Sequence, residues 1–151
     1  MRIFVVSRLY IERMNNLNPQ WYIGKHIISI FSKGDVSPLP NRCNILKLNF
    51  DDVTENNNED GVIFFNENHA KEIYNFISKI SAEAKKDFYV HCDAGVSRSG
   101  AVGMILNEWF NKFLTVNRMD YEDFLMNNNH ILSNPLVVRI LKNELFGQPF
   151  V

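Results

Sequence analysis

Two cysteines in 151 residues, Cys43 and Cys92, are too few for a disulfide framework. A chain built without disulfides is expected in a reducing compartment, with the cytoplasm as the default. Neither sign of charge is in excess, since 16 Lys and Arg face 17 Asp and Glu for a formal net charge of −1. That excludes the strong basic footprint of a nucleic-acid or membrane-surface binder, and neither partner is expected. Long apolar runs are missing too: no stretch approaches a membrane span, and MRIFVVSRLY is too short an apolar run for a signal peptide. Repeats and separate linkers are absent. What is present is 46% apolar and 22% charged residues, the composition of one soluble globular domain, expected to span 1–151. Oligomeric state is not legible.

The chemistry concentrates in His91-Cys92-Asp93-Ala94-Gly95-Val96-Ser97-Arg98-Ser99, which follows a short apolar run and opens a long helical pattern. A cysteine, five residues containing a glycine, then an arginine and a hydroxyl let backbone N–H groups curl around one tetrahedral anion. The cradle at 93–98 and the positive end of the following helix would bind a phosphate and favour the Cys92 thiolate beneath it. Gly95 permits the tight path, and Arg98 offers a planar fork to two phosphoryl oxygens. Ser99 is placed to donate to the Cys92 sulfur when a covalent intermediate breaks down. His91 would support the loop from behind.

This stretch resembles the HCxxGxxR[ST] signature of the cysteine-dependent protein tyrosine phosphatase superfamily, matching every signature position. Ala94 with Val96-Ser97 resembles the dual-specificity branch. The resemblance is strongest from about Ile45 to Phe113 and weaker but order-compatible elsewhere. It implies phosphomonoester hydrolysis through a phosphocysteine without metal or cofactor, on a phosphorylated protein or peptide. It also implies a general acid at a strand end. Counting Leu48-Asn49-Phe50-Asp51-Asp52 onto the family's apolar-x-apolar-x-Asp pattern puts Asp52 there, with Asp51 as the near alternative. The forty residues from Asp52 to Cys92 exceed the family's usual spacing, and Asp60 lies closer to it. The excess resides in Asn56–Gly61, a turn-rich run that reads as an inserted loop able to wall the site. The variable positions Asp93, Ala94, Val96 and Ser97 carry no lysine for extra phosphates, which points to a singly phosphorylated group. Rival readings are a catalytically silent phosphopeptide-binding module, a rhodanese-like sulfurtransferase and an RNA 5′-phosphatase.

The remaining pattern predicts strands at Ile3–Val6, His26–Phe31, Ile45–Phe50 and Phe88–His91. Helices are expected over Arg8–Met14, broken by Asn15–Pro19, and from Asn66 as N-cap through Ala84, closed by 85–87. A buried helix should run from Ser99 to Phe113, with Trp109 in the core. Asn117 should cap a short helix to Met126, and Asn134-Pro135 should start the last, ended by Gly147. Alternation of strands with helices predicts an α/β domain, with a mostly parallel four- to five-stranded sheet covered on both faces. His26 is an ordinary half-buried histidine in this reading, His69 an exposed one, and Cys43 a buried structural thiol with a protective disulfide to Cys92 as the alternative.

Overall fold

Ile27, Ile28, Ser29 and Ile30 are all fully buried although successive side chains leave a strand on opposite faces, so this strand is covered on both sides. It lies inside a sheet of four strands: β1 (Ile3–Ser7), β2 (His26–Phe31), β3 (Ile45–Asn49) and β4 (Phe88–Cys92). Their order is β1-β4-β2-β3, and every pairing is parallel, as the alternating pattern predicted. The computed structural model describes residues 1–80, 86–113 and 119–147.

One face of the sheet is covered by α1 (Arg8–Leu17), the segment leading from it into β2 and the loop after β2, where Ile11, Trp21 and Leu39 meet Ile27, Ile45 and Tyr89. The other face carries the larger core. There α2 (Glu67–Ser78), α3 (Arg98–Phe113), α4 (Tyr121–Asn127) and α5 (Pro135–Leu145) supply Ile73, Ile77, Val102, Ile105, Phe124, Val137 and Leu141 against Val5, Ile28, Ile30, Leu48 and Val90. Each fully buried aliphatic side chain contributes about 1.5–3 kcal/mol. Among the described residues no helix is long and apolar enough to cross a membrane.

Several sequence expectations shift. The α1 helix continues through the asparagines to Leu17, ending where Asn18 N–H bonds Met14 O just before Pro19. The α2 helix stops at Ser78 with Lys79 as C-cap; Ala84 and Lys85 lie outside the described residues. Asp120, whose carboxylate accepts from Asp123 N–H, caps α4. Asn117, the expected cap, is outside the described residues. The α3 helix is buried through Phe110, and its last turn emerges, leaving Phe113 half exposed. Trp109 is partly buried against the core. Cys43 is exposed, because it lies in the loop before β3 rather than on a core-facing position. His69 is half-buried rather than exposed. Its ring lies against Phe65 and Phe50 and closes a capping box with Asn66, and its Nε2 is 3.1 Å from Asn49 O. Burial holds its pKa below the ordinary histidine value. His26 is half-buried and its pKa is lowered for the same reason.

Because all strands are parallel, the segments leaving β1, β2, β3 and β4 emerge along one edge. In an open parallel sheet this is where ligands bind.

Candidate active site

The loop from Asp93 to Ser97 joins β4 to α3, and its carbonyls are tied down from outside. Asp93 O accepts from Arg8 N at 3.1 Å, Val96 O from Leu132 N at 3.0 Å, and Ser97 O from Asn134 N at 3.1 Å. No described peptide bond is cis. In a planar trans peptide the N–H points opposite its carbonyl, so the N–H groups of Ala94, Ser97 and Arg98 turn inward. Three inward N–H groups at the head of a long helix form a concavity suited to an anion. The path depends on Gly95, whose φ is 72°. A Cβ there would stand 2.5 Å from Val6 C and 2.6 Å from Ser7 N, which cannot move without breaking β1. Gly95→Ala should therefore destabilise the fold by more than about 2 kcal/mol, seen as a lower urea midpoint with loss of anion binding.

Cys92 ends β4, pairs in register with Ser7, and is 2% exposed. Its Sγ lies 3.0 Å from Ser99 Oγ. A thiolate is acceptor only, so in that state the Ser99 hydroxyl donates to it.

Arg98 is 4% exposed, and its five donors divide unequally. Nη1 donates to Phe50 O at 2.9 Å and to Ser32 Oγ at 2.8 Å. Nη2 donates to Asp93 Oδ2 at 3.1 Å, and Ser32 Oγ donates to that same oxygen at 3.1 Å. These partners occupy the end of the guanidinium. Nε, on the side edge it shares with Nη2, is buried with no acceptor among the described residues. A buried unpaired donor on a cation is expensive unless something accepts from it. The edge left open is the fork that binds a planar pair of oxygens.

His91 is fully buried on the opposite side of β4 from Cys92. The Cys92 carbonyl can only accept, so the ring Nδ1, 3.2 Å away, carries the proton and Nε2 is an acceptor. That orders a chain: Leu39 N–H donates to Ser37 Oγ, Ser37 to Ser29 Oγ at 2.6 Å, and Ser29 to His91 Nε2 at 2.6 Å. Desolvation lowers the His91 pKa to about 4, outweighing the raising effect of the Cys92 carbonyl, with Arg8 and Arg98 lowering it further. The unfolded chain would take up this proton near the ordinary histidine pKa of about 6.5, and the folded chain only near pH 4. Stability is thus complete above about pH 6.5 and declines toward pH 4, by about 3 kcal/mol for this group. Urea unfolding between about pH 7.5 and pH 5 should show this decline, and His91→Gln should make it shallower.

The three candidate acids have different surroundings. Asp51 is a staple: Oδ1 accepts from Lys33 N at 2.9 Å and Oδ2 from Ile63 N at 2.8 Å, while Asp51 N donates to Ile63 O. Partial burial alone would raise its pKa, but the Ile63 and Lys33 N–H groups and the Arg98 charge prevail and hold it low. This staple closes the base of the inserted loop, which explains how the chain absorbs the long spacing before Cys92. Asp60 is exposed, in the turn before Gly61. Asp52 alone reaches the anion loop: its Oδ1 accepts from Ser97 Oγ at 2.7 Å and from Asn134 Nδ2 at 2.9 Å. It borders a cavity of about 470 Å³ that Asn56, Asn57 and Ser97 also line, so the inserted loop walls the space beside Asp52, whose lining includes neither Cys92 nor Arg98. Asp60 is not part of that lining.

Ser29, Ser32, Ser37, Phe50 O and Asn134 are partners the sequence did not single out. The sequence marks Asn134 as a helix cap, and its Nδ2 also donates to Val53 O at 3.1 Å. No three metal-ligating side chains converge among the described residues.

Fold and loop together define a parallel α/β domain with a cysteine and an arginine at the C-terminal edge of its sheet. No protein-family model matches this chain, and no curated protein does. Among solved structures it is similar to the Cydia pomonella PTP-2 phosphatase, with a TM-score of 0.58 and 20% identity over 95% of this chain and 85% of that one. It is also similar to PTPMT1 in complex with PI(5)P, with a TM-score of 0.49 and 18% identity over 89% and 86% of the two chains. The fold shared with the first of these is the fold the signature implied.

Proposed function

We propose that this protein is a cysteine-dependent phosphatase that hydrolyses phosphomonoesters, acting on phosphotyrosine together with phosphoserine or phosphothreonine in proteins. One observation carries the reading: the open Nε edge of buried Arg98 at the inward-facing amide loop that follows Cys92, itself 3.0 Å from Ser99. A phosphoryl group satisfies the orphaned donor and presents phosphorus to the sulfur. The complete signature and the fold shared with a phosphatase support the same reading.

In this mechanism the Cys92 thiolate attacks phosphorus, and the S–P bond forms as the ester P–O bond breaks. Arg98 and the amides hold the equatorial oxygens, whose charge they are already oriented to receive. Asp52 gives its proton to the departing oxygen. Water then attacks the phosphocysteine and loses its proton to Asp52, while the sulfur departs as a thiolate toward the Ser99 hydroxyl. His91 holds the Cys92 carbonyl from behind. The test is hydrolysis of p-nitrophenyl phosphate with inhibition by vanadate, followed by a panel of phosphopeptide, phosphoinositide and RNA 5′-triphosphate. Cys92-dependent turnover with preference for the peptide is expected. Binding without turnover in the wild type, or thiosulfate:cyanide transfer without hydrolysis, would overturn the reading.

A further inference from the structure

Asp93 sits on the rim of the anion loop, its side chain 45% exposed, against the nearly buried Arg98. Its Oδ2 takes both the Arg98 Nη2 and Ser32 Oγ hydrogen bonds, while no described residue bonds its Oδ1. The same Nη2 belongs to the open edge of the guanidinium, so any anion seated on that edge shares a nitrogen with a carboxylate. Oxygens bonded to one nitrogen stand within about 5 Å of each other. At that range, in a half-solvated site, each unit of negative charge on the seated anion weakens binding by about tenfold, while a charge on a flanking group, at about 10 Å, counts for about threefold in either direction.

We propose that Asp93 is a charge filter for the site: it favours a phosphomonoester flanked by cationic groups, as on a basic phosphopeptide, and disfavours one with a second anion beside the phosphate. This rests on the phosphatase reading and names the substrate class within it. Asp93 has two opposed effects. Its hydrogen bonds orient Arg98, and its charge taxes every dianion that Arg98 attracts.

Asp93→Asn separates these, because the amide oxygen can still accept from Arg98 and Ser32 while the charge is gone. Two phosphopeptides differing only in Arg or Glu beside the phosphorylated residue supply the kinetic arm. The wild type should prefer the Arg peptide by about tenfold in kcat/KM, and Asp93→Asn should narrow this to about twofold by gaining on the Glu peptide. Calorimetric titration with inorganic phosphate supplies an arm that needs no turnover. Asp93→Asn should tighten binding by about tenfold or more near pH 8, where phosphate is mostly a dianion, and by less near pH 5. An unchanged peptide preference, equal loss on both peptides with weaker phosphate binding, or a wild type that prefers a doubly phosphorylated inositol headgroup would overturn the filter. Tightened phosphate binding with no hydrolysis by either protein would keep the filter and remove the phosphatase. Cys92-dependent hydrolysis with an indifferent Asp93→Asn would do the reverse.

Discussion

Cys92→Ser is expected to lower turnover by at least about 10⁴-fold while the protein still binds inorganic phosphate or tungstate. The size follows from the nucleophile. A serine hydroxyl holds its proton at neutral pH, and among the described residues no base is hydrogen-bonded to take it: the nearest hydroxyl, Ser99, donates toward position 92, and His91 is turned away with its Nδ1 on the Cys92 carbonyl. Binding survives because the cradle does not depend on the sulfur. Its carbonyls are held by Arg8, Leu132 and Asn134, and Arg98 is held by Phe50, Ser32 and Asp93. Serine is also smaller than cysteine, so it introduces no clash at a position only 2% exposed. Kinetics with p-nitrophenyl phosphate measure the first half of the expectation. Titration calorimetry with tungstate, or the rise in unfolding temperature that a native-state ligand produces, measures the second. Turnover within about tenfold of wild type would remove Cys92 from the chemistry, whatever the binding shows.

The elements that position this cysteine were legible because they are local. Ile3-Phe4-Val5-Val6 and Phe88-Tyr89-Val90-His91 announce buried strands, and each carries its own burial pattern in the fold. Asn134-Pro135 announces a helix start, and Asn134 does accept from Leu136 and Val137 N–H. What was not legible lies in contacts across the chain. Ser29 meets His91 only because β2 and β4 pair in parallel register, and nothing in HIISIF marks its serine as anything but a polar interruption. Ser32 and Phe50 O reach Arg98 across 66 and 48 positions, and a backbone carbonyl leaves no trace in residue identity. Helix periodicity places His69 away from the core, whereas a capping box folds its side chain back over the N-terminus of α2. Asp51 and Asp52 are chemically identical neighbours, and only the path of the loop assigns one to Ile63 and the other to Ser97.

That assignment makes the acid the second large expectation. Asp52→Asn should reduce kcat by about 10²–10⁴-fold on a poor leaving group such as phosphoserine, with a much smaller loss on p-nitrophenyl phosphate. The amide oxygen of asparagine can still accept from Ser97 and Asn134, so the loop should hold its position and the loss should come from the missing proton. The contrast between leaving groups is therefore the informative reading, since a displaced loop would slow both substrates alike. Asp51→Asn should behave differently. One of its two carboxylate oxygens becomes an NH2 group facing a backbone N–H, Lys33 or Ile63, and the inserted loop loses its staple. The expected cost is about 1–3 kcal/mol of stability, read as a lower urea midpoint, with no leaving-group dependence. Asp60→Asn, on an exposed turn outside the cavity that Asp52 borders, should leave both stability and rate near wild type. If Asp52→Asn kept full rate on phosphoserine while Asp51→Asn or Asp60→Asn lost it at unchanged stability, the proton would have to come from another carboxylate. The contact from Ser97 to Asp52 would then be a tether for the anion loop, serving geometry rather than acid catalysis.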